Sequence, residues 1–215
     1  MDMMLNAAGG PGTAPSSPTE ARFREVAANL SVWHRPCRAG FRPLFRHLTR
    51  SRCGSASLEG SAGAIELDHL LPAVPPRLNA WRRALLRDIG MLCRVYADRA
   101  GTDRVRVKLE VVSTDGCRYF HADNIGLRLL CTYHGPGSEW VADHAVDRSA
   151  LGRGGNAGVV LDPAAVRRLE PWSVGLFKGN AHPGLAGRGC VHRSPPIQQL
   201  RQSRVLLSID SPIDD

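Results

Sequence analysis

The sequence has 215 residues, 28 basic and 20 acidic side chains and a net charge of +8, with 43% hydrophobic and 22% charged residues. This length and composition fit one globular domain, or at most two small ones, and exclude a wholly disordered or fibrous chain. No apolar run approaches the roughly 20 residues of a membrane-spanning helix, and the first residues lack a secretory signal, so we expect a cytoplasmic protein.

The N-terminal half begins with a segment that shows no folding pattern. Residues 1–20 are rich in Gly, Pro, Ser, Thr and Ala, which predicts a disordered tail. Residues 21–103 are mixed, with a Gly/Ser-rich loop predicted at 53–63. Across residues 77–100 hydrophobic side chains recur every three or four positions, which predicts an amphipathic helix. Its apolar stripe is expected to contain Trp81, Leu85, Ile89, Leu92 and Tyr96.

One segment, residues 34–53, contains six arginines and no acid, and four of the arginines recur every four residues. Such spacing can line one face of a helix. The face either contacts phosphates or is a solvated face that backs Phe41, Phe45 and Leu48, and the second interpretation is favoured. The remaining basic charge is spread along the chain, so a nucleic-acid partner is disfavoured.

After Gly101 the hydrophobic period changes from 3.6 to 2, which predicts strands. Eight short strands separated by turn residues, in about a hundred residues, favour a mainly β protein with some helix. The predicted fold is a double-stranded β-helix, also called a jelly roll or cupin-like fold. Residues 21–215 then form a single domain, with a helical layer at 21–103 and the jelly-roll core at 104–210. The predicted strands are residues 104–113, 118–123, 127–133, 139–142, 158–161, 173–178, 189–192 and 204–210.

The candidate chemistry lies on the second and seventh of these strands. His121 and Asp123 are two residues apart, so on a strand they face the same side. With His192 they have the composition of the two-histidine, one-carboxylate triad, which binds iron(II) and leaves coordination positions open. The alternative is a structural hydrogen-bonded pair of His121 and Asp123, with His192 merely capping the loop before two prolines.

Arg204 begins the last predicted strand, twelve residues after His192. A guanidinium can pair with both oxygens of a carboxylate, although an edge-strand arginine paired with Asp210 is the alternative. An H-x-D motif, a distal histidine and a following basic residue, in this order, resemble the iron(II)- and 2-oxoglutarate-dependent double-stranded β-helix dioxygenases. The resemblance covers about residues 104–210 and implies that Arg204 binds the cosubstrate.

A closer resemblance extends across almost the whole chain. Residues 118–123, 128–140 and 192–196 contain F-H-x-D, R-L-L-C-T-Y-x-G-P-G-[ST]-E-W and H-R-S-P-P blocks, which resemble a bacterial family known only as domain of unknown function 1826. This resemblance implies a metal-dependent site without naming a substrate. Some members are similar to proteins grouped with zinc homeostasis, which implies the alternative of a non-catalytic zinc-binding protein.

Two cysteines bear on the choice of metal. On strands, Cys117 would share the side of His121, and Cys190 that of His192. Thiolate ligands favour zinc in a closed four-coordinate site, whereas an oxygenase needs nitrogen and oxygen ligands with open positions. Five further residues are candidates to line the pocket: Tyr119, Arg128, Tyr133, Lys178 and Arg193.

We therefore expect a mononuclear Fe(II) site formed by His121, Asp123 and His192, with 2-oxoglutarate as cosubstrate. The expected reaction is hydroxylation of an unidentified small molecule or side chain. Zn(II) bound without turnover is the second hypothesis, and a basic nucleic-acid-binding module that uses residues 35–52 is the third. No membrane partner is expected, and the oligomeric state stays open.

Overall fold

Ten strands and two α-helices form the described part of the chain, which in the computed structural model comprises residues 22–51 and 53–212. The predicted tail at 1–20 and Arg52 lie outside these residues. The helices are α1 (Arg42–Arg50) and α2 (Asn79–Ala100). The strands are β1 (Arg24–Ala27), β2 (Leu30–Trp33), β3 (Ser55–Ser61), β4 (Arg104–Val112), β5 (Leu127–His134), β6 (Glu139–Val141), β7 (Val166–Arg168), β8 (Val174–Lys178), β9 (Val191–Arg193) and β10 (Arg204–Asp210).

Seven strands form the larger sheet, in the order β1-β2-β8-β5-β10-β4-β3, and all neighbours are antiparallel. The alternation in β4 confirms the predicted strand, because Val105, Val107 and Leu109 are all buried on the face that the helices cover. β10 lies between β5 and β4, so it is a central strand. One face of this sheet is therefore apolar and the other carries the charged residues of β4.

The smaller sheet has three antiparallel strands in the order β7-β6-β9. A single bridge between His121 and His192 adds one residue to its β9 edge. Apolar side chains from both sheets share one cluster, which includes the buried Leu130 and Phe177 from the larger sheet and the partly buried Trp140 from β6 of the smaller sheet. The two sheets therefore face each other across an apolar layer.

The two helices cover the opposite face of the larger sheet. α2 confirms the predicted helix, and Leu85, Ile89 and Leu92 of its stripe are fully buried. Trp81 is the exception, since 36% of it is exposed. The helix ends where Gly101 adopts a left-handed conformation (φ 64°), which glycine tolerates best.

The arginine-rich segment forms α1 only from Arg42 onwards, with a proline in its first turn. Phe41, Phe45 and Leu48 are buried against the core, while Arg42 and Arg46 are exposed. The hydrophobic side chains thus recur at helical spacing on one side of α1, and the exposed arginines lie on the other.

Two predicted strands are wrong. Residues 118–123 contain only the one bridge at His121, because the side chain of Asn156 accepts a hydrogen bond from Phe120 N and donates to Arg118 O. A side-chain amide thus satisfies groups that a neighbouring strand would otherwise pair. Residues 158–161 likewise form only the bridge between Val146 and Val160, next to a left-handed Gly158 (φ 75°).

The predicted loop at 53–63 is also wrong, because it contains the edge strand β3. Most residues of β3 are small or polar and have low strand propensity, but all seven residues of the strand pair with β4, and this pairing outweighs the propensity. The short strands β1, β2 and β7 are also absent from the strands predicted from the sequence. Residues 21–103 therefore contribute three strands to the larger sheet in addition to the helical layer.

The observed architecture is mainly β with some helix, built from antiparallel sheets. Within residues 22–51 and 53–212, no helix has both the length and the apolar character needed to cross a membrane.

Candidate metal centre

Two histidines and one aspartate converge beside the smaller sheet. One ligating atom from each of His121, Asp123 and His192 lies within 4.8 Å of the others. His121 Nε2 is 3.7 Å from Asp123 Oδ1, and His192 Nε2 is 3.5 Å from Asp123 Oδ2. The structure thus brings together the three residues that the sequence singled out.

Backbone hydrogen bonds position these side chains. His121 N donates to His192 O (3.0 Å), and His192 N donates to His121 O (2.9 Å), so the two histidines form a reciprocal pair. Asp123 O accepts a hydrogen bond from Asn180 N (2.8 Å), just after β8. Gly179, the residue before Asn180, lies so close to the segment after Asp123 that an added Cβ would be 2.2 Å from Ile125 O. Only glycine fits there, and the loop that carries Asp123 depends on this close approach.

Both imidazoles direct the same nitrogen towards the aspartate. The Nδ1 atoms contact backbone carbonyls, that of His121 the oxygen of Tyr119 (2.9 Å) and that of His192 the oxygen of Cys190 (3.0 Å). A carbonyl only accepts, so each Nδ1 carries the proton, and a ring in its neutral form presents the Nε2 lone pair. Burial lowers the pKa of His192 to about 4, although the charge of Asp123 opposes this shift, so the neutral form of His192 is favoured. Such outer contacts are typical of metal-binding histidines.

One carboxylate oxygen of Asp123 forms an ion pair, and the other has no hydrogen-bond partner among the described residues. Oδ1 forms an ion pair with Arg128 Nη1 at 2.9 Å, whereas Oδ2 is buried and has no hydrogen-bond partner among the described residues. A buried carboxylate oxygen without a partner is costly. A cation between this oxygen and the two Nε2 atoms would remove the cost, so the donor set fits a metal ion.

A chain of charged residues continues from the cluster onto the larger sheet. Arg128 also donates to Asp210 Oδ2 (Nη2, 2.7 Å), and Arg106 Nε donates to Asp210 Oδ1 (2.7 Å). The guanidinium of Arg128 therefore bridges Asp123 and Asp210. Because Asp210 lies on the central strand β10, this bridge fixes the orientation of Asp123, the candidate metal ligand.

Arg204 is fully buried on the same side of β10. Its two Nη atoms donate to the hydroxyls of Ser194 (3.0 Å), Ser138 (3.0 Å) and Thr132 (3.1 Å). Its Nε has no partner, and no carboxylate among the described residues pairs with it. Burial lowers the pKa of Arg204 to about 10, so the guanidinium is still charged at neutral pH. Glu110 and Glu139 act on this charge only from a distance. A buried guanidinium without a carboxylate in direct contact indicates a place for an anion.

Part of the metal cluster and part of the surroundings of Arg204 line one cavity of about 100 Å³. The lining includes His121 and His192 of the cluster, and Ser138 and Ser194, which accept hydrogen bonds from Arg204. This volume is below the roughly 300–1,000 Å³ of sites for drug-sized ligands. It is suited to a small anion beside the metal cluster, with any larger substrate at its mouth.

The predicted pocket residues divide between this cavity and other places. Arg128 and Arg193 line the cavity, and Arg193 also donates to Glu139 Oε2 (2.8 Å). Tyr119 is 40% exposed and accepts a hydrogen bond from Arg118, so only its backbone contributes, through the contact with His121.

The predictions for Tyr133 and Lys178 are wrong. Tyr133 points to the helical face of the larger sheet, where its hydroxyl donates to Asp88 Oδ2 (2.8 Å). Lys178 Nζ donates to Ala28 O (2.9 Å) near the sheet edge. The reason is strand parity: on β5, Arg128 and Thr132 face the cavity, so Tyr133 must face away.

Neither cysteine belongs to the ligand cluster. Cys190 is buried in the apolar layer between the sheets, and burial raises the pKa of its thiol. Cys117 is exposed and lines the cavity, but its sulfur is not among the atoms that lie within 4.8 Å of one another. The ligand atoms that the structure brings together are therefore nitrogen and oxygen.

Sequence reasoning missed the hydroxyls around Arg204 and the link through Arg128. Ser138, Ser194 and Thr132 come from three separate segments, so no spacing along the chain connects them. One signal was present in β10, where Arg204, Ser208 and Asp210 share one face of a central strand. Polar residues on an internal face of a sheet indicate a site.

The sequence matches the family described as "Protein of unknown function (DUF1826)" over residues 19–210. No curated protein matches it.

Two solved structures are similar at low identity. One is the dioxygenase for auxin oxidation 1 from Arabidopsis thaliana in a binary complex with 2-oxoglutarate, at 15% identity and a TM-score of 0.37, covering 77% of this chain and 66% of that chain. The other is a C-terminally truncated protein from Neurospora crassa in apo form, at 14% identity and a TM-score of 0.33, covering 73% of this chain and 62% of that chain. The chain spans less than two thirds of the length of either structure.

Proposed function

This chain belongs to the family described as protein of unknown function (DUF1826), and we propose that it is a mononuclear iron(II) oxygenase that uses 2-oxoglutarate. One observation carries the proposal: one ligating atom from each of His121, Asp123 and His192 lies within 4.8 Å of the others, and Asp123 Oδ2 is buried without a hydrogen-bond partner among the described residues. Three nitrogen and oxygen ligands leave coordination positions open, as non-haem iron oxygenases require.

We propose that the chain has a double-stranded β-helix fold. Two antiparallel sheets face each other, with His192 on the smaller sheet and Arg204 on the larger one. Side chains from both sheets can then surround one enclosed site.

His121 Nε2, His192 Nε2 and Asp123 Oδ2 are the atoms that would hold the metal. When bound, iron(II) with 2-oxoglutarate supplies the oxidising chemistry for hydroxylation. Arg128 pairs with Asp123 Oδ1, so Oδ2 is the oxygen that would be available to hold the metal.

Arg204 is the residue that would bind the cosubstrate. A guanidinium whose neighbours are hydroxyls can pair with the carboxylate of a dicarboxylic acid, and Ser194 can donate to the same group. Leu130 and Leu206 line the cavity between the charged groups. These apolar side chains exclude water and strengthen the electrostatic attraction. The substrate class stays open between a small molecule and a protein side chain.

Zinc binding without turnover is the alternative, and one observation favours it. Cys117 lines the same cavity as His121 and His192, so a modest shift would offer zinc a fourth ligand.

Metal analysis with a turnover assay tests both proposals. Protein purified without oxygen is expected to bind about one iron(II) and to convert 2-oxoglutarate to succinate when oxygen is admitted. His121→Ala is expected to lose most of both properties, because it removes one of three ligands. The exposed His144→Ala is the matched control and should retain them. Tight zinc without iron uptake or succinate would refute the oxygenase, and full metal content in His121→Ala would refute the site.

A further inference from the structure

A second cavity, of about 380 Å³, lies on the helical side of the larger sheet. It is bordered by α1, by the turn after β5 and by the segment that precedes β8. We call it the arginine pocket, because Arg38, Arg42 and Arg46 line it together with His134 and Trp172. Its volume falls within the roughly 300–1,000 Å³ range of small-molecule sites. The metal cluster lies on the other side of the sheet.

The positive charges of the arginine pocket have no acidic partners within residues 22–51 and 53–212. No carboxylate among the described residues forms an ion pair with Arg38, Arg42 or Arg46, and residues 34–53 contain no acid. Arg42 begins α1, whose first turn also has no acid. The N-terminus of a helix is positively polarised, so a cation there is unfavourable. Three cations and a helix N-terminus around one cavity favour a bound anion.

The floor of the arginine pocket is apolar and held in an unusual conformation. Phe45, Tyr133 and Trp172 are buried beneath it, and such a low-dielectric floor strengthens attraction between charges above it. Trp172 has a φ of 72°, which a bulky residue rarely adopts. Its carbonyl is fixed by Arg35 Nε (2.8 Å), and the guanidinium of Arg38 lies 5.4 Å from its ring. Backbone strain of this kind clusters at ligand-binding sites.

His134 adds a neutral donor to the arginine pocket. Burial, together with the positive charge of Arg42, lowers the pKa of His134, so the ring can donate one hydrogen bond without further charge. Its ring is stacked on Phe45 at a centroid distance of 5.7 Å, which fixes its orientation.

We propose that the arginine pocket binds a small anion that carries phosphate groups. Guanidinium groups match phosphate geometry through paired hydrogen bonds, and three of them around one cavity suit a ligand with several negative charges. The site is concave, whereas nucleic-acid surfaces of basic proteins usually extend along a groove or stripe. This inference is independent of the oxygenase proposal.

Calorimetry with inorganic pyrophosphate tests the proposal on the full chain freed of metal with a chelator. Saturable binding of one pyrophosphate is expected. Arg42→Gln combined with Arg46→Gln should weaken it at least about tenfold, because two charge-assisted contacts are lost. Both side chains are exposed, so the fold should persist. Arg50→Gln, on the same helix but outside the pocket, is the matched control and should bind within about twofold of the unchanged protein.

A second measurement on the unchanged protein keeps the test independent of the variants. With nitrogen-15-labelled tryptophan, pyrophosphate should shift the indole signal of Trp172 and leave that of Trp140 in place. Three outcomes would overturn the proposal: no saturable binding, an equal loss in Arg50→Gln, or an oligonucleotide that binds and is not displaced by pyrophosphate. The last outcome would instead support a nucleic-acid surface.

Discussion

Arg204 is the residue whose environment says most about function. The interpretation as an edge-strand arginine paired with Asp210 is wrong, since β10 is central and Asp210 pairs with Arg106 and Arg128 instead. A charged side chain with no exposed surface is rare unless it is paired. Its three hydroxyl neighbours satisfy part of its hydrogen-bonding capacity, and no carboxylate among the described residues lies in direct contact with it.

Arg204→Lys is expected to weaken 2-oxoglutarate binding at least about tenfold while iron(II) binding stays unchanged. Lysine keeps the charge but cannot form the paired hydrogen bonds of a guanidinium. Calorimetry with protein saturated with iron(II) in the absence of oxygen measures both affinities. Arg167→Lys, an exposed arginine outside the cavity, is the control. Unchanged affinity for 2-oxoglutarate in Arg204→Lys would remove Arg204 from the cosubstrate site.

Residue types and spacing predicted the three residues of the metal cluster, although the strand predicted for residues 118–123 is wrong. His121 and Asp123 were placed together by strand parity, yet residues 118–123 form only one bridge. The pairing of His121 with His192 keeps the local backbone extended enough for the same result. The contact of Arg128 with Asp123 could not be predicted, because the turn between them leaves the parity of β5 open.

At the scale of elements, one carboxylate joins the three strands of the smaller sheet. Glu139 on β6 lies opposite Arg168 on β7 and Arg193 on β9. It accepts hydrogen bonds from both, at 2.5 Å and 2.8 Å. Such opposite-charge cross-strand pairs stabilise a sheet, and here they also support the strand that carries His192.

Glu139→Gln is expected to lower the free energy of unfolding by about 1–2 kcal/mol at pH 7. Burial raises the pKa of Glu139, but hydrogen bonds from Arg168 and Arg193 outweigh burial and lower it. A lowered folded-state pKa means that the stabilisation is present above the unfolded value of about 4.3 and is lost as the pH falls through the folded value. The difference between the two proteins should therefore shrink below about pH 4.

Urea denaturation across this pH range measures the effect. The exposed Glu66→Gln is the control and should change stability by less than about 0.5 kcal/mol. A difference that grows on acidification would contradict the assigned role of the Glu139 carboxylate.

Among the elements, those with a clear hydrophobic period were predicted and those that depend on pairing were not. α2, β4 and β10 have stripes or alternation that a sequence displays directly. β3 has small polar residues and becomes a strand only because β4 lies beside it. Strand propensity is weak compared with the effect of a neighbouring strand.

At the scale of the whole molecule, one hydrophobic core joins both halves of the sequence. It contains Leu48 from α1, Ile89 from α2, and Val107 and Leu207 from the larger sheet. β1 and β2 extend this sheet at one edge and β3 at the other. The helices of residues 21–103 therefore pack on the same hydrophobic core as the strands of residues 104–210.

A fragment of residues 104–215 is expected not to fold, because it would expose the apolar face that the helices cover and would lack three strands of the larger sheet. The full chain should unfold in one cooperative transition in urea, followed by circular dichroism. A cooperative transition in the fragment alone would contradict this expectation and show that the core is self-sufficient.

The sequence by itself determined which residues are the candidates for the proposed chemistry: two histidines, an aspartate and an arginine in a set order, within a mainly β chain. These features depend on residue type and short-range period, which are local properties. Only the tertiary structure decided that Asp123 Oδ2 and Arg204 Nε are buried without partners among the described residues. It alone gathered three arginines around a second cavity. Burial and hydrogen-bond partners depend on contacts between segments far apart in the chain, and a single sequence does not encode them at any fixed spacing.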